Sequence, residues 1–194
     1  PEFYTFSLSA SSDTTFPDKL ISYFSILSML TRQLINIPVH LGLDNLPNIY
    51  CGVAVFVLLP LYIMCSKVNA REKIGKCVIL LIFLTAFNLN IPNYIWHGMH
   101  FPNSLPCRQS FIYIFFLLAM CYEAVINLKN STNRQLGASL WIAIGLLLIM
   151  EELFINSETE YSFKSVYISG IFILIYGLLM FIHNNAKFKI PVVL

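Results

Sequence analysis

Thirteen consecutive residues, Trp96-His-Gly-Met-His-Phe-Pro-Asn-Ser-Leu-Pro-Cys-Arg108, carry the densest chemistry of the 194-residue chain. Two imidazoles can hydrogen-bond or ligate a metal. The carboxamide of Asn103 can both donate and accept hydrogen bonds. The planar donor fork of Arg108 suits a phosphate, and the ring of Trp96 can stack on a sugar face. These residue types make Trp96, His97, His100, Asn103 and Arg108 the candidate substrate-binding set. On a helix, the three-residue spacing of His97 and His100 would put both rings on one face, as metal ligands require. Gly98 and Pro102 oppose helix there, and no carboxylate or third histidine is near in sequence, so no metal is assigned. The histidines then have two readings, hydrogen bonding in an interfacial loop or lining a polar substrate pocket. Arg108 also has two, a guanidinium snorkelling to lipid headgroups or an anion clamp. No catalytic residue and no cofactor can be named.

The segments that must position this loop are hydrocarbon. Cys77 to Phe87 and Phe111 to Tyr122, on either side, hold almost no polar atoms. Across the chain 57% of residues are hydrophobic and 11% charged, with a mean hydropathy of +0.71, against about a quarter charged in soluble domains. Such runs are too long and too numerous for helices with polar faces. The expected fold is all-α, a polytopic helical membrane protein of about five transmembrane helices plus an N-terminal amphipathic helix.

Residues 1–16 have turn-forming composition and read as an exposed loop. Residues 17–36 read as the amphipathic helix, with Asp18 near its start, lying in the membrane interface or packing on chain that is missing here. The five spans are expected at 49–65, 77–95, 111–128, 136–154 and 166–182. Two domains follow: residues 1–46 as an outward-facing loop and amphipathic helix, and 47–194 as the five-span unit. Pro1 follows no initiator methionine and no signal peptide is visible, so the chain reads as a piece of something longer.

Charge sets the expected orientation. Loops 67–76, 129–135 and 183–189 hold eight of the twelve Lys and Arg residues. The positive-inside rule makes those loops cytoplasmic, which puts the His97–Arg108 loop and the acidic turn of Glu158 and Glu160 outside a multi-pass cell-membrane protein. Glu123, near the inner end of the third span, is expected to pair or snorkel. Glu151 and Glu152 read as a solvated helix end. A net charge of +2 implies no nucleic-acid partner. The five cysteines show no CxxC or zinc spacing and read as buried thiols. Asn130-Ser131-Thr132 matches a glycosylation sequon but falls in a turn assigned to the cytoplasm, and is read as a chance match. Gly170 and Gly177, seven apart, suit close helix packing.

Three motifs, taken together, resemble a known family. Leu46-Pro-Asn-Ile-Tyr-Cys-Gly52 leads into a span, Arg71-Glu-Lys73 lies in the next basic loop, and Trp96-His-Gly-x-His-x-Pro-Asn-x-Leu-Pro-x-Arg108 is followed by Ser110-Phe111. Their order and intervals resemble the C-terminal membrane half of the bacterial YfhO family over residues 40–128, with Cys107 where an aromatic is expected. The resemblance implies a GT-C type glycosyltransferase that moves a sugar from a polyprenyl-phosphate carrier to an extracellular cell-wall polymer such as teichoic acid. It also implies partners: the carrier-linked sugar, membrane lipid, the polymer acceptor and the preceding part of the same chain. Enzymes of this type hold a catalytic acid in a loop near the start of the chain, so residues 1–194 alone are expected to be inactive. The alternative is a non-enzymatic membrane protein, a lipid-linked saccharide flippase or a scaffold.

Overall fold

A computed structural model of the chain describes residues 15–39, 46–101, 107–156 and 163–185. Within them the secondary structure is helical: α1 (Ile26–Thr31), α2 (Val55–Met64), α3 (Ala70–Asn88), α4 (Asn90–Trp96), α5 (Ser110–Ile126), α6 (Asn133–Asn156) and α7 (Phe163–Asn185), with a 3-10 turn at Leu128–Asn130 and one isolated antiparallel bridge between Ser22 and Leu89. The all-α expectation holds. Two helices, α6 over Asn133–Glu152 and α7, are long and apolar enough to cross a membrane, while α2 and α5 are apolar but shorter.

The rods run alternately up and down. Near one end of the bundle, Gln135 at the start of α6 donates to Met64 O at the end of α2 (2.8 Å), Asn184 near the end of α7 donates to Ser131 O (3.2 Å), and Lys76 of α3 pairs with Glu123 of α5. This is the basic end. Lys73 Nζ donates there to Ile63 O (2.8 Å) and to Cys65 O, setting a cation on the carbonyls that close α2. The described stems of the histidine loop, residues 96–101 and 107–108, lie at the opposite end.

Helix α2 is apolar on all sides, a pattern that calls for burial all round. It sits accordingly between two core clusters, one with α3 and α5 through Tyr62, Phe83, Phe87 and Leu117, the other with α6 and α7 through Val57, Leu61, Ala143 and Ile173. Helices α6 and α7 meet closely at two points. A Cβ on Gly177 would lie 2.9 Å from Leu140 Cδ1, and one on Gly170 would lie 3.0 Å from Leu147 Cδ2. Each leucine knob fills a glycine notch, with both pairs one heptad apart in antiparallel register, as the spacing of the glycines suggested.

Three expectations need correction. Of residues 17–36, only Ile26–Thr31 is helical. The second half of the segment is buried among this chain's own helices, with Met29, Arg32, Gln33 and Leu34 at most 3% exposed, while Leu20, Ile21, Tyr23 and Ile26 of the first half stay exposed. Ile35 N–H donates to Ser169 Oγ (3.0 Å) and Ser165 Oγ to Asn36 O (3.4 Å), tying it to α7.

The stretch expected as the first span is helical only from Val55. Gly52, at φ +101°, takes a conformation that glycine alone adopts readily, and the backbone before it is not helical. Its polar groups are met by side chains of the buried segment. Gln33 Nε2 donates to Ile49 O (2.7 Å) and its Oε1 accepts from Cys51 N–H (3.2 Å), while Arg32 donates to Pro47 O (3.3 Å) and to Asn48 Oδ1 (2.5 Å). Non-helical backbone in an apolar surrounding survives only when protein satisfies it in this way.

The third correction concerns 77–95, where the helix breaks at Leu89, which is extended. Pro92 is the cause. It has no N–H to give to the carbonyl four residues back and its ring crowds that carbonyl, which belongs to Asn88. Tyr23 N–H takes the freed Asn88 O instead (2.9 Å), and Asn90 N–H donates to Ile21 O (3.1 Å). The two asparagine side chains complete the joint. Asn88 Oδ1 accepts from Phe24 N–H (2.9 Å), Asn90 Oδ1 from Ile21 N–H (2.8 Å), and Asn90 Nδ2 donates to Lys19 O (2.8 Å).

Candidate functional site

The break redirects the chain. A straight helix would carry residue 96 about 20 Å beyond residue 83 at 1.5 Å per residue, yet the rings of Phe83 and Trp96 lie 4.9 Å apart. Helix α4 therefore turns back beside α3. It closes on a Schellman motif: Met99 N–H donates to Tyr94 O (3.0 Å), Gly98 N–H to Ile95 O (3.1 Å), and Gly98 takes φ +74° at the position where a glycine is favoured. His97 is the C-cap. His100 lies past the helix end, and the imidazole centroids are 6.5 Å apart.

At the other stem, Cys107 is buried with its thiol directed at Phe87 O (3.9 Å), and Ser110 N–H donates to Cys107 O (2.9 Å) as α5 begins. Met99 and Cys107 have φ of +64° and +60°. Left-handed backbone costs an ordinary L residue about 1–2 kcal/mol, so both stems hold strain of a kind that gathers at functional sites.

His97 Nδ1 lies 2.8 Å from Asn93 O, one turn back in α4. A carbonyl can only accept, so Nδ1 carries the hydrogen and Nε2 of the neutral ring bears a lone pair. Burial holds the His97 pKa below its ordinary 6.5; the Asn93 carbonyl opposes that shift, while the charges of His100 and Arg108 add to it. Arg108, whose side chain is exposed, is thus within electrostatic reach of His97. Next to it Gln109 is buried, and so is Asn93.

Of the five residues expected in the site, the structure brings His97, His100 and Arg108 to one end of the bundle. Trp96 is at that end too, but its ring packs edge-on against Phe83 and is 42% exposed. Asn103 lies outside the described residues. Asn93 and Gln109 were not anticipated. The available signal was polarity at the edge of apolar stretches, since a buried carboxamide beside a span is expensive and asks for a reason.

The basic end holds a separate cluster. Lys76 bridges Glu72 (2.6 Å) and Glu123, over the ring of Tyr62 at 5.6 Å. Glu123 is therefore paired, as expected. Glu151 accepts a hydrogen bond from Tyr167 Oη (3.0 Å), joining α6 to α7 at the histidine-loop end.

Comparison with curated proteins, and with solved structures, returned no match. The family model described as bacterial membrane protein YfhO matches residues 1–194, so the likeness carried by the motifs within 40–128 extends over the whole sequence. The chain belongs to the YfhO family of bacterial membrane proteins.

Proposed function

We propose that this chain is the carrier-binding, non-catalytic part of a membrane glycosyltransferase, which takes a sugar from a polyprenyl-phosphate carrier and adds it to an extracellular polymer such as teichoic acid. In this reading five helical segments cross the membrane, α3 with α4 counting as one broken segment, and the histidine-loop end faces outward. The observation that carries it is the exposed guanidinium of Arg108 at the strained stem of a polar loop, within electrostatic reach of His97. Broken membrane helices commonly mark a substrate site because they free backbone and polar groups at membrane depth. A carrier phosphate at headgroup level would meet Arg108 first.

Arg108→Lys tests the phosphate clamp, since lysine keeps the charge and loses the bidentate fork. Loss of one charge-assisted contact costs about 1.5–3 kcal/mol, or roughly tenfold or more in affinity. Carrier-lipid affinity and transfer rate of the full-length variant, at equal membrane abundance, are expected to fall accordingly. Unchanged values would leave Arg108 as a snorkelling anchor, a role lysine fills equally well.

A further inference from the structure

Helix α2 is shared by two separate core clusters. Leu117, Met120 and Ala124 of α5 belong to one and Ile173 and Met180 of α7 to the other, with Leu58 of α2 packed against both. The close-packing side of α7 is already used, since Gly170 and Gly177 receive the leucines of α6. About a quarter turn round that helix, Tyr176, Met180 and His183 form a second row at i, i+4 and i+7. This row faces Val125 and Leu128, at and just past the end of α5, across a cleft of about 340 Å³ whose floor is Ala54 and Leu58.

Size and surface say what fits. Residues 176–183 span about 10 Å at 1.5 Å per residue, and a helix about 10 Å across would need roughly 800 Å³ over that length. The cleft offers less than half of that, so neither a second copy nor another segment of the chain fits it as a helix, and bare extended backbone is excluded at membrane depth. Apart from the tips of Tyr176 and His183 the lining is hydrocarbon. At about 30 Å³ for a water-sized group, the cleft holds roughly ten methylene-sized groups, a stretch of one acyl chain.

Charge chooses the lipid. The cleft ends beside the turn Leu128–Asn130, and Asn184 ties α7 to that turn through Ser131 O (3.2 Å). Lys129 on the turn and Arg134 in the first turn of α6 are both exposed. A cation at a helix N-terminus opposes the helix dipole, so an anion brought there relieves Arg134. Residues 124–150 and 163–194 contain no Asp or Glu, and Glu123, just before them, is paired with Lys76. Basic groups at a bilayer surface attract anionic lipids. We propose that the cleft between α5 and α7 binds an anionic phospholipid, with one acyl chain lying on α2 and the phosphate at Lys129, Arg134 and His183. The site is at the end of the bundle opposite the stems of the histidine loop and does not rest on the carrier reading.

The test places the full-length protein in phosphatidylcholine nanodiscs carrying a trace of phosphatidylglycerol, or of phosphatidylcholine, with a diazirine in one acyl chain. Irradiation is followed by peptide mapping. Phosphatidylglycerol is expected to label residues 125–128 and 176–183 several-fold more than phosphatidylcholine does, while the two label the exposed face around Trp141 equally. Lys129→Gln and Arg134→Gln, both on the surface, should each reduce cleft labelling by phosphatidylglycerol roughly fivefold. Leu58→Trp, which fills the floor, should reduce it about tenfold, with labelling around Trp141 unchanged. Equal cleft labelling by the two lipids, or undiminished labelling in both charge variants, overturns the site. So does full labelling of a Leu58→Trp protein of native Tm; if that variant melts early, the charge variants decide. Displacement of the label by excess polyprenyl phosphate but not by excess phosphatidylglycerol would assign the cleft to a prenyl chain and also overturn the proposal.

Discussion

Gln33 stands beside Ile49 and Cys51 as a neighbouring strand would, donating to the carbonyl of one and accepting the N–H of the other through a single carboxamide. The pairing meets Ile49 O and Cys51 N–H where Ile49 sits at 0% exposure. Gln33→Leu should leave two buried backbone groups unmet, at about 1–3 kcal/mol each. The Tm of purified protein in detergent should fall by several degrees, and Gln33→Glu, which keeps the acceptor alone, should fall between. A Gln33→Leu protein as stable as wild type would show that the backbone finds other partners.

The notch at Gly177 allows a swap. Gly177→Leu drives a second side chain into Leu140, overpacking worth about 1–3 kcal/mol. Combining it with Leu140→Gly moves the knob to the opposite helix and should recover much of the loss, beyond the helix-propensity penalty of about 1 kcal/mol for the new glycine. Melting curves of the two single variants and the double one decide it. Strict additivity of the two losses would mean the residues do not meet.

His97 predicts a pH dependence. Its folded pKa lies below the ordinary 6.5, chiefly through burial, with His100 and Arg108 as the charged neighbours. Between the folded value and 6.5 the unfolded chain binds more protons, so stability should decline as pH falls through this window and level off beneath it. Above 6.5 the ring is neutral in both states and contributes no slope. The difference in Tm between wild type and His97→Gln, followed from pH 8 to pH 5, should narrow or change sign over that window. A constant difference would remove the imidazole as the source.

Sidedness can be read with single cysteines in a background lacking the native five. Met99 is 55% exposed, which makes Met99→Cys a reporter for the histidine-loop end. At the basic end Ser131 is buried but Thr132 is exposed, so Thr132→Cys serves there. An impermeant thiol reagent applied to intact cells should label position 99 and leave position 132 untouched. The reverse pattern would invert the orientation.

The apolar runs, the loops between them and the glycine pair of α7 were legible because each depends on local composition or on a heptad spacing. The break at Leu89 was written in Pro92, but where the freed Asn88 carbonyl would turn depended on Tyr23, 65 positions away. Gln33 was equally opaque. A polar residue in an amphipathic pattern reads as facing water, and only the presence of unpaired backbone at Ile49 and Cys51 gives it a buried use. In the site, His97, His100 and Arg108 stood out by residue type. Asn93 and Gln109 look like ordinary span-edge amides until the structure leaves their polar atoms unpartnered.

The notched pair of α6 and α7 also bears on how the protein is made. These two helices are long and apolar enough to cross a membrane, and they follow α2 to α5 in the chain. Helix α2 has ten residues, α3 begins with a cluster of charges, and the chain after it is snapped at Leu89. Translation therefore delivers α2 to α5 before the α6–α7 pair that walls one side of α2. In the five-span reading proposed above, the face of α2 that packs on Ala143 and Ile173 is expected to wait for α6 and α7, so a chain stopped before Asn133 should insert less stably than one carrying the hairpin.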